Sequence, residues 1–271
     1  MIMGMIVANQ ETKCIDTIEH ECPVLVYINN RRRFIVVARE EGFLDTDIGR
    51  IPYRDMIGKV YGSYIVLPNG LRAYLLRPNF IDFIERGFKR RSQVIYPKDH
   101  GMILVLLDIK PGYRIVEIGV GSGFTTAFLA RVVGDNGRVY SYEIRRDMIE
   151  IAQKNLEKIG VSHRVVLRNR DARLGIDEKD LDAAIVDIPD PWSVVETLED
   201  ALKPSAGAVF FTPTVNQVSR LLTMLESRRC WIDTRIYEVM LREYEPQADA
   251  LRPRTTMIAH TGYLVYSRYA R

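Results

Sequence analysis

The chain reads as an α/β protein, a doubly wound and mostly parallel sheet preceded by a small antiparallel β domain. Three observations predict it. From Pro111 onward, apolar runs of strand length alternate with stretches of helical periodicity. Before residue 95 the apolar runs are short, β-rich and separated by turn residues. A glycine-rich turn, Gly119-Val120-Gly121-Ser122-Gly123, stands between the first strand of the alternating part and the helix after it.

The β-rich part holds runs at 24–28, 34–38, 59–60, 64–67 and 73–76, punctuated by Asn29-Asn30, Glu41-Gly42 and Pro68-Asn69-Gly70. Asn and Gly accept positive φ at little cost, so Pro68-Asn69-Gly70 predicts a hairpin between its flanking runs. Such runs form a small barrel or sandwich, and residues 80–88 read as a short helix leading out of it. The alternating part opens with a strand at 114–118 and a helix at 124–133, closed by Gly134. A second strand at 138–143 precedes Met148, Ile149, Ala152, Leu156 and Ile159 on one helical face, with Gly160 as terminator. Strands at 165–167, 183–187 and 208–212 follow, with helices at 194–202 and 215–225, and runs at 232–241 and 257–266 form a closing pair. The change of texture divides the chain into domains 1–95 and 96–271.

With 271 residues, 47% of them hydrophobic and 27% charged, the chain sustains a core without staples and lies outside the disordered class. Its 18 Gly and 12 Pro exclude a collagen-like or low-complexity protein. Cys14, Cys22 and Cys230 are odd in number and include no C-x-x-C pair. Neither a disulfide framework nor a zinc knuckle is therefore expected, and a reducing compartment follows. The opening apolar run at 1–8 is too short for a signal peptide, and no apolar stretch approaches the ~18 residues of a membrane span. The expectation is a cytoplasmic chain. Net charge is +3, and the excess lies in residues 1–95, with 14 Lys/Arg against 11 Asp/Glu. Arg31-Arg32-Arg33, Arg86 and Lys89-Arg90-Arg91 concentrate it. Such clusters are compatible with nucleic acid but more often simply face solvent.

Glycines at 119, 121 and 123 let the backbone pass close to a ligand and leave helix N-terminal amides facing it. A dinucleotide fingerprint wants its third glycine where this chain has Phe124, so the spacing argues against a pyrophosphate. Glu143 ends the second strand, 24 residues after Gly119, where a carboxylate accepts both hydroxyls of a ribose. Asp171 follows the third strand, placed to receive an adenine amino group, and Asp187 ends the fourth. Taken singly, each acid is better explained as a helix cap or a surface charge. Three acids at successive strand ends converge on one crevice and suit a ribose, an adenine and a cationic or proton-donating group. S-adenosylmethionine meets that description. No His/Cys/carboxylate cluster has ligand spacing, so no metal is expected.

These residues resemble the class I S-adenosylmethionine-dependent methyltransferases, and within them the tRNA (adenine-N1)-methyltransferases of the TrmI type. The resemblance is carried by Tyr96-Pro97-Lys98-Asp99, the run from Glu117 to Gly123, Ser141-Tyr142-Glu143 and Asp187-Ile188-Pro189-Asp190-Pro191-Trp192. Thr212-Pro213-Thr214-Val215-Asn216-Gln217, Arg242-Glu243-Tyr244 and His260-Thr261-Gly262-Tyr263-Leu264 extend it, and Asp45 to Gly58 with Gly62-Ser63 looks similar to the family's small β domain. The resemblance implies a Rossmann-like seven-stranded sheet and N1 methylation of a T-loop adenosine of tRNA, at position 58 and possibly 57, by a homotetramer. It implies that Gly119, Gly121, Ser122, Gly123, Phe124, Glu143, Asp171, Ala172 and Asp187 hold the cofactor. Asp187 and Tyr96 serve catalysis, and Trp192, His260 and Arg242 the substrate. Two positions depart from the pattern: Phe211 stands where some members have Tyr, and His100-Gly101 replace Ala-type residues.

Adenine N1 carries a free lone pair at neutral pH, so its methylation needs alignment with the S–CH₃ bond more than a base. Asp187 accepts from the N6 amino group and stabilises the cationic product; Tyr96 or Trp192 stacks on the base. Pro189 and Pro191 stiffen the segment after Asp187. Arg31–Arg33, Lys89–Arg91, Arg252 and Arg254 are candidate phosphate contacts. Two other readings account for part of the sequence: a non-catalytic RNA-binding subunit, and a methyltransferase acting on a protein carboxylate or a tetrapyrrole. The first is expected to lack the glycine loop or Asp187; the second leaves the β-rich domain and the Asp187–Trp192 run without a role.

Overall fold

The computed structural model describes residues 14–271; the apolar run at 1–8 lies outside them. The chain forms two compact units, one running to Lys89 and taking in Lys158–Gly160, the other comprising Arg90–Glu157 and Val161–Arg271.

The first unit contains β1 (Pro23–Asn29), β2 (Arg32–Val37), β3 (Phe43–Thr46), β4 (Gly49–Pro52), β5 (Tyr64–Val66) and β6 (Arg72–Leu76). Four of these make one antiparallel sheet in the order β2-β1-β6-β5, while β3 and β4 pair with each other. The two-residue period of a strand sends Val24, Val26, Val36, Ala73 and Leu75 to one face, where they bury with Ile18, Ile51 and Met56. The turn at Pro68-Asn69-Gly70 joins β5 to β6 as expected: the Leu67 amide donates to the Leu71 carbonyl at 2.8 Å and Gly70 adopts φ +81°.

Three features differ from the sequence reading. The sheet is open, with β2 and β5 as its edges, because the expected strand at 59–60 supplies only an isolated bridge between Thr17 and Val60. The β3–β4 hairpin escaped detection because Asp45, Thr46 and Asp47 interrupt its apolar alternation. Thr46 Oγ1 donates to the Gly49 carbonyl (2.6 Å), Arg50 reaches Asp45 (2.8 Å), and its guanidinium lies 4.0 Å from the centre of the Phe43 ring. The segment expected to be a helix at 80–88 is one capped turn, Phe80–Asp82, continued by a wider π turn, Phe83–Gly87.

Cys14 and Cys22 form a disulfide with their Cα atoms 5.7 Å apart, contrary to the expectation of free thiols. Their spacing belongs to no motif. The reversal in which the Cys22 amide donates to the Glu19 carbonyl (3.1 Å) brings them together within the buried core of this unit. The argument for a reducing compartment loses its basis in this pair; Cys230 is the free cysteine.

The second unit is built from α1 (Pro97–Leu106), β7 (Arg114–Ile118), α2 (Phe124–Val133), β8 (Arg138–Tyr142), α3 (Arg146–Lys158), β9 (Val165–Arg168), β10 (Leu181–Val186), α4 (Val195–Ala201), β11 (Leu202–Thr212), α5 (Val215–Arg228), β12 (Trp231–Tyr237), the two-residue ladder of β13 (Tyr244–Glu245) with β14 (Arg252–Pro253), and β15 (Tyr263–Tyr269). Seven strands form one sheet in the order β12-β15-β11-β10-β7-β8-β9. The five central and flanking strands from β11 to β9 run parallel, and β15 inserts antiparallel between β11 and β12. Successive strands step outward from β7 to β9 and then resume on its other side at β10. The switch point, where parallel α/β sheets open a crevice, therefore lies between the carboxyl ends of β7 and β10.

Burial on both faces explains why β10 reads as an almost continuous apolar run. One side of the core gathers Phe210, Trp231 and Tyr269, with ring centres 6.0 and 5.8 Å from the Trp231 ring; each such burial is worth about 1.5–3 kcal/mol. Helix α5 starts where Thr214 Oγ1 accepts from the Gln217 amide and stops at Arg229 in the left-handed region. Helix α1 was not expected, because its apolar residues cluster after Gly101 without helical periodicity. The closing strands are shorter and shifted: β12 ends at Tyr237, and β15 begins only after Gly262, where Tyr263 pairs with Thr212. No helix among the described residues is long and apolar enough to cross a membrane.

Replacing the disulfide in a Cys14→Ser/Cys22→Ala variant, or reducing it, is expected to lower the unfolding free energy of the first unit by about 2–3 kcal/mol, the loop-entropy value for so short a loop. Denaturant titrations with and without reductant measure this. Superimposable curves would remove the bond from the stability of this unit.

Candidate active site

The switch-point crevice is held open by main-chain bonds between strand ends. The Asp187 amide donates to the Ile118 carbonyl (2.8 Å), the Gly119 amide to the Tyr142 carbonyl (2.9 Å) and the Glu143 amide to the Arg168 carbonyl (3.0 Å). Glu143, Asp187 and the glycine loop are thereby fixed side by side. At Gly119, φ is +94°, and a Cβ would stand 2.1 Å from the Asp187 carbonyl oxygen; only glycine fits. Gly123 caps α2 at φ +81°, and a Cβ there would press on Ala152 of α3 at 3.0 Å. Asn155, also on α3, donates to the Ser122 carbonyl at 2.9 Å. The amphipathic helix thus clamps the turn from behind.

The resulting cleft has a volume of about 730 Å³. Its walls include Tyr96, Gly119, Gly121, Ser122, Phe124, Glu143, Asp171, Ala172, Asp187 and His260 from the residues singled out in the sequence. Gly123 packs behind the wall. Trp192 and Arg242 are not part of it: the Arg220 guanidinium covers the Trp192 ring at 4.0 Å, and Arg242 is exposed with Nη1 against Met257 Sδ.

Several acids have distinct partners. Glu143 accepts from the Gly121 amide and the Arg145 amide, both at 3.0 Å, so its carboxylate leans back onto the glycine loop. Asp171 is engaged by Arg173, which donates Nε (2.9 Å) and Nη2 (2.7 Å) and reaches Asp190 with Nη1 (3.2 Å). Those hydrogen bonds hold Asp171 below the usual carboxylate range. Asp187 has no side-chain hydrogen bond among the described residues. Burial, reinforced by the Glu143 charge, pushes it up to about 7. Beneath the loop, Glu117 accepts from Thr126 Oγ1 (2.7 Å) and Ser141 Oγ (2.6 Å) through Oε2, while buried Oε1 has no partner among the described residues. Burial pushes Glu117 up to about 7 against the pull of those two hydroxyls.

The opposite wall carries His260, expected to serve the substrate, together with groups that the sequence reading left without a role. Lys98 and Asp99 open α1 as a buried pair at 2.8 Å; Lys98 Nζ also donates to the Val239 carbonyl (2.6 Å) and Thr261 Oγ1 (2.7 Å), and Thr261 returns its proton to Asp99 Oδ2 (2.9 Å). All three ammonium protons are used, and the latch fixes the segment bearing His260. His260 donates Nε2 to the Pro213 carbonyl (2.9 Å) and holds Glu238 through Nδ1 (2.6 Å), contacts that raise its pKa. Phe211 lines the cleft only because Gly262 is bare; a Cβ there would meet the ring at 2.4 Å. The Tyr96–Asp99 and His260–Leu264 runs marked this wall in the sequence, but their junction was not readable there, since residues 239 and 261 lie more than a hundred residues from Lys98.

A carboxylate pair without a neutralising contact at Asp187, a glycine turn at a helix N-terminus and apolar walls from Ile118, Val120 and Phe211 fit a ligand with hydroxyls and a cationic centre, and they repel a phosphate. These are the requirements of S-adenosylmethionine, and the fold and site define a class I S-adenosylmethionine-dependent methyltransferase. Comparison with known proteins narrows the class. Residues 74–252 match the family model described as "tRNA methyltransferase complex GCD14 subunit". The TrmI tRNA (adenine(57)-N(1)/adenine(58)-N(1))-methyltransferase of Methanocaldococcus jannaschii is 32% identical over 263 residues, covering 88% of this chain and 91% of that protein. The crystal structure of a tRNA (m1A58) methyltransferase TrmI from Aquifex aeolicus superimposes with a TM-score of 0.83 at 30% identity, over 94% of this chain and 99% of that one. A Thermotoga maritima structure described as a SAM-dependent O-methyltransferase gives 0.89 at 37% identity, over 94% and 96%. The chain belongs to the TrmI-type tRNA (adenine-N1)-methyltransferase family. Among the described residues no group of three or more His, Cys, Asp and Glu side chains is arranged to hold a metal ion.

Because Asp187 and Glu117 are pushed up to about 7 from ordinary carboxylate values, the folded chain holds protons that the unfolded chain releases. Their contribution to stability is full below about pH 4 and is lost as pH rises toward about 7. Melting curves across this window are expected to show that slope, reduced in Asp187→Asn; an unchanged slope would deny Asp187 its raised pKa. Gly119→Ala is expected to abolish binding of S-adenosylmethionine measured calorimetrically. Wild-type affinity would contradict the close approach to the Asp187 carbonyl.

Proposed function

We propose that this cleft binds S-adenosylmethionine and that the chain transfers its methyl group to N1 of adenosine 58 in the T-loop of tRNA. The carrying observation is Asp187, an unpaired carboxylate at the switch point beside the glycine turn. Bound there, the cofactor supplies an electrophilic methyl group on a cationic sulfur. The backbone of Gly119 to Gly123 approaches the ligand closely, Glu143 is placed to accept from the ribose hydroxyls, and Ala172 with the Arg173-held Asp171 borders the adenine.

Adenine N1 needs no base, since its lone pair is free at neutral pH. The task of the chain is alignment, and it is performed by rigid walls: α1 latched to Thr261, Phe211 seated on Gly262, and the proline-stiffened segment after Asp187. Asp187 accepts a hydrogen bond from the N6 amino group. That bond strengthens as positive charge develops on the ring, so the carboxylate stabilises the transition state more than the neutral base. Tyr96, at the N-cap of α1 on the cleft wall, is positioned to stack on the target ring. A T-loop base inside folded tRNA must be turned out of its stack to reach this cleft, and the cationic clusters of the chain suit the RNA backbone. Assembly as a homotetramer extends the same reading.

Incubation with labelled S-adenosylmethionine and unmodified tRNA, followed by digestion to nucleosides, is expected to yield labelled 1-methyladenosine. Label in protein or tetrapyrrole pools with tRNA silent would reject the reading. Asp187→Ala is expected to lower turnover by about a hundredfold or more, with cofactor binding reduced far less. Unchanged turnover would remove Asp187 from the chemistry.

A further inference from the structure

We infer that the outward face of the four-stranded sheet in the first unit binds unpaired nucleotides of an RNA, by stacking bases on a row of tyrosines flanked by arginines. The register makes the row: Arg33 of β2 lies opposite Tyr27 of β1, Tyr27 opposite Tyr74 of β6, and Tyr74 opposite Tyr64 of β5. Because strand side chains alternate, these four share the face opposite Val24 and Val26; the Phe83–Gly87 turn covers that face at Leu25 and Ile35, Tyr27 and Tyr74 are half-buried, and the Tyr64 end is open. Beside them, Arg72 and Val66 form the next opposed pair.

The side chains are already organised as a platform. The Arg33 guanidinium is 5.2 Å from the centre of the Tyr27 ring, and the Arg72 guanidinium is 4.5 Å from that of Tyr64. Tyr64 and Tyr74 meet edge to face at 5.8 Å. Asn30 Oδ1 accepts from both the Tyr27 hydroxyl (3.1 Å) and Arg33 Nη2 (2.8 Å), which fixes the ring and the charge together. Tyr64 is 42% exposed and Val66 65%, so this end of the row is open to solvent. Neighbouring strands lie about 4.8 Å apart, so the three tyrosines span about 10 Å, room for two or three bases.

Charge selects the occupant. The outward positions of these four strands carry Arg33 and Arg72 and no Asp or Glu, and Arg31 stands at the β1–β2 turn. A second copy brought face to face would oppose arginine to arginine, whereas RNA offers phosphates for the guanidiniums and bases for the rings. This rests on the proposed tRNA substrate and adds a recognition surface separate from the methyl-transfer cleft.

The test uses the full chain and an unmodified tRNA transcript at fixed salt. Tyr64→Ala/Tyr74→Ala is expected to raise the Kd for the transcript about tenfold or more, and to raise its KM while kcat at saturating tRNA is unchanged. Tyr64→Phe/Tyr74→Phe keeps the rings and is expected to keep the affinity, and Arg33→Gln/Arg72→Gln to flatten the salt dependence. A Kd within twofold of wild type for the double alanine variant, with methyl transfer to tRNA intact, overturns the platform and leaves the reaction standing. Ring-dependent binding of the transcript without formation of 1-methyladenosine supports the platform and rejects the reaction. A smaller particle in sedimentation, with RNA affinity unchanged, overturns the platform in favour of a contact between copies.

Discussion

The second unit is organised around an unrelieved electrostatic condition: carboxylates held close together at the ends of parallel strands. Asp187 and Glu143 face one cleft, and Glu117 lies directly beneath it with one oxygen buried and unpartnered. Among the described residues no arginine or lysine pairs with Asp187. Isolated in water these groups would ionise freely; packed together in an apolar setting they resist it, and two of them are displaced to about 7. The fold maintains this costly arrangement through main-chain bonds between strand ends, those of the Asp187 and Glu143 amides among them. A cationic ligand with hydrogen-bond donors is the complement that relieves it, which makes the empty-handed state of Asp187 the most informative single feature of the cleft.

That condition is sustainable only because the surrounding structure is stiff. Gly119 allows the loop to lie against the Asp187 carbonyl, Gly123 allows α3 to press on the turn, and Gly262 makes room for Phe211. The three glycines act through space and, at the first two, also through backbone conformation. On the far wall the Lys98–Asp99–Thr261 cluster uses every donor of a buried ammonium. Loss of one partner from a buried ion pair of this kind costs about 3–5 kcal/mol, so the wall is held against drift. Alignment of a nucleophile with a methyl group is a demand on position, and rigid walls are the physical answer to it.

The two units differ in surface chemistry. The cleft is concave and sets Asp187 beside Glu143. The outward face of the β-rich sheet is cationic and aromatic, with no acidic strand position to weaken it. On the reading proposed above, RNA, polyanionic outside and aromatic within, has a distinct use for each. The disulfide between Cys14 and Cys22 braces the core behind that sheet, at a place where the buried aliphatic residues are few and the strands short.

Periodicity and punctuation in the amino-acid order determined the parallel sheet, helix α2 to the residue, the Pro68-Asn69-Gly70 hairpin and the strand ends bearing Glu143 and Asp187, because each of these is written in neighbouring residues. Local order also determined the glycine turn and its likeness to a known family. Only the tertiary structure decided what depends on residues distant in the chain. The Cys14–Cys22 bond needed a reversal to bring its thiols together, and helix α1 drew its stability from contacts instead of an amphipathic pattern. Asp171 proved to be held by Arg173, and Trp192 to be covered by Arg220 outside the cleft wall. The tyrosine row exists only through the registers of three strand pairs, since Tyr27, Tyr64 and Tyr74 acquire a common face when their strands align. Short-range preferences specify elements; the partners of a charge or a ring are specified by packing.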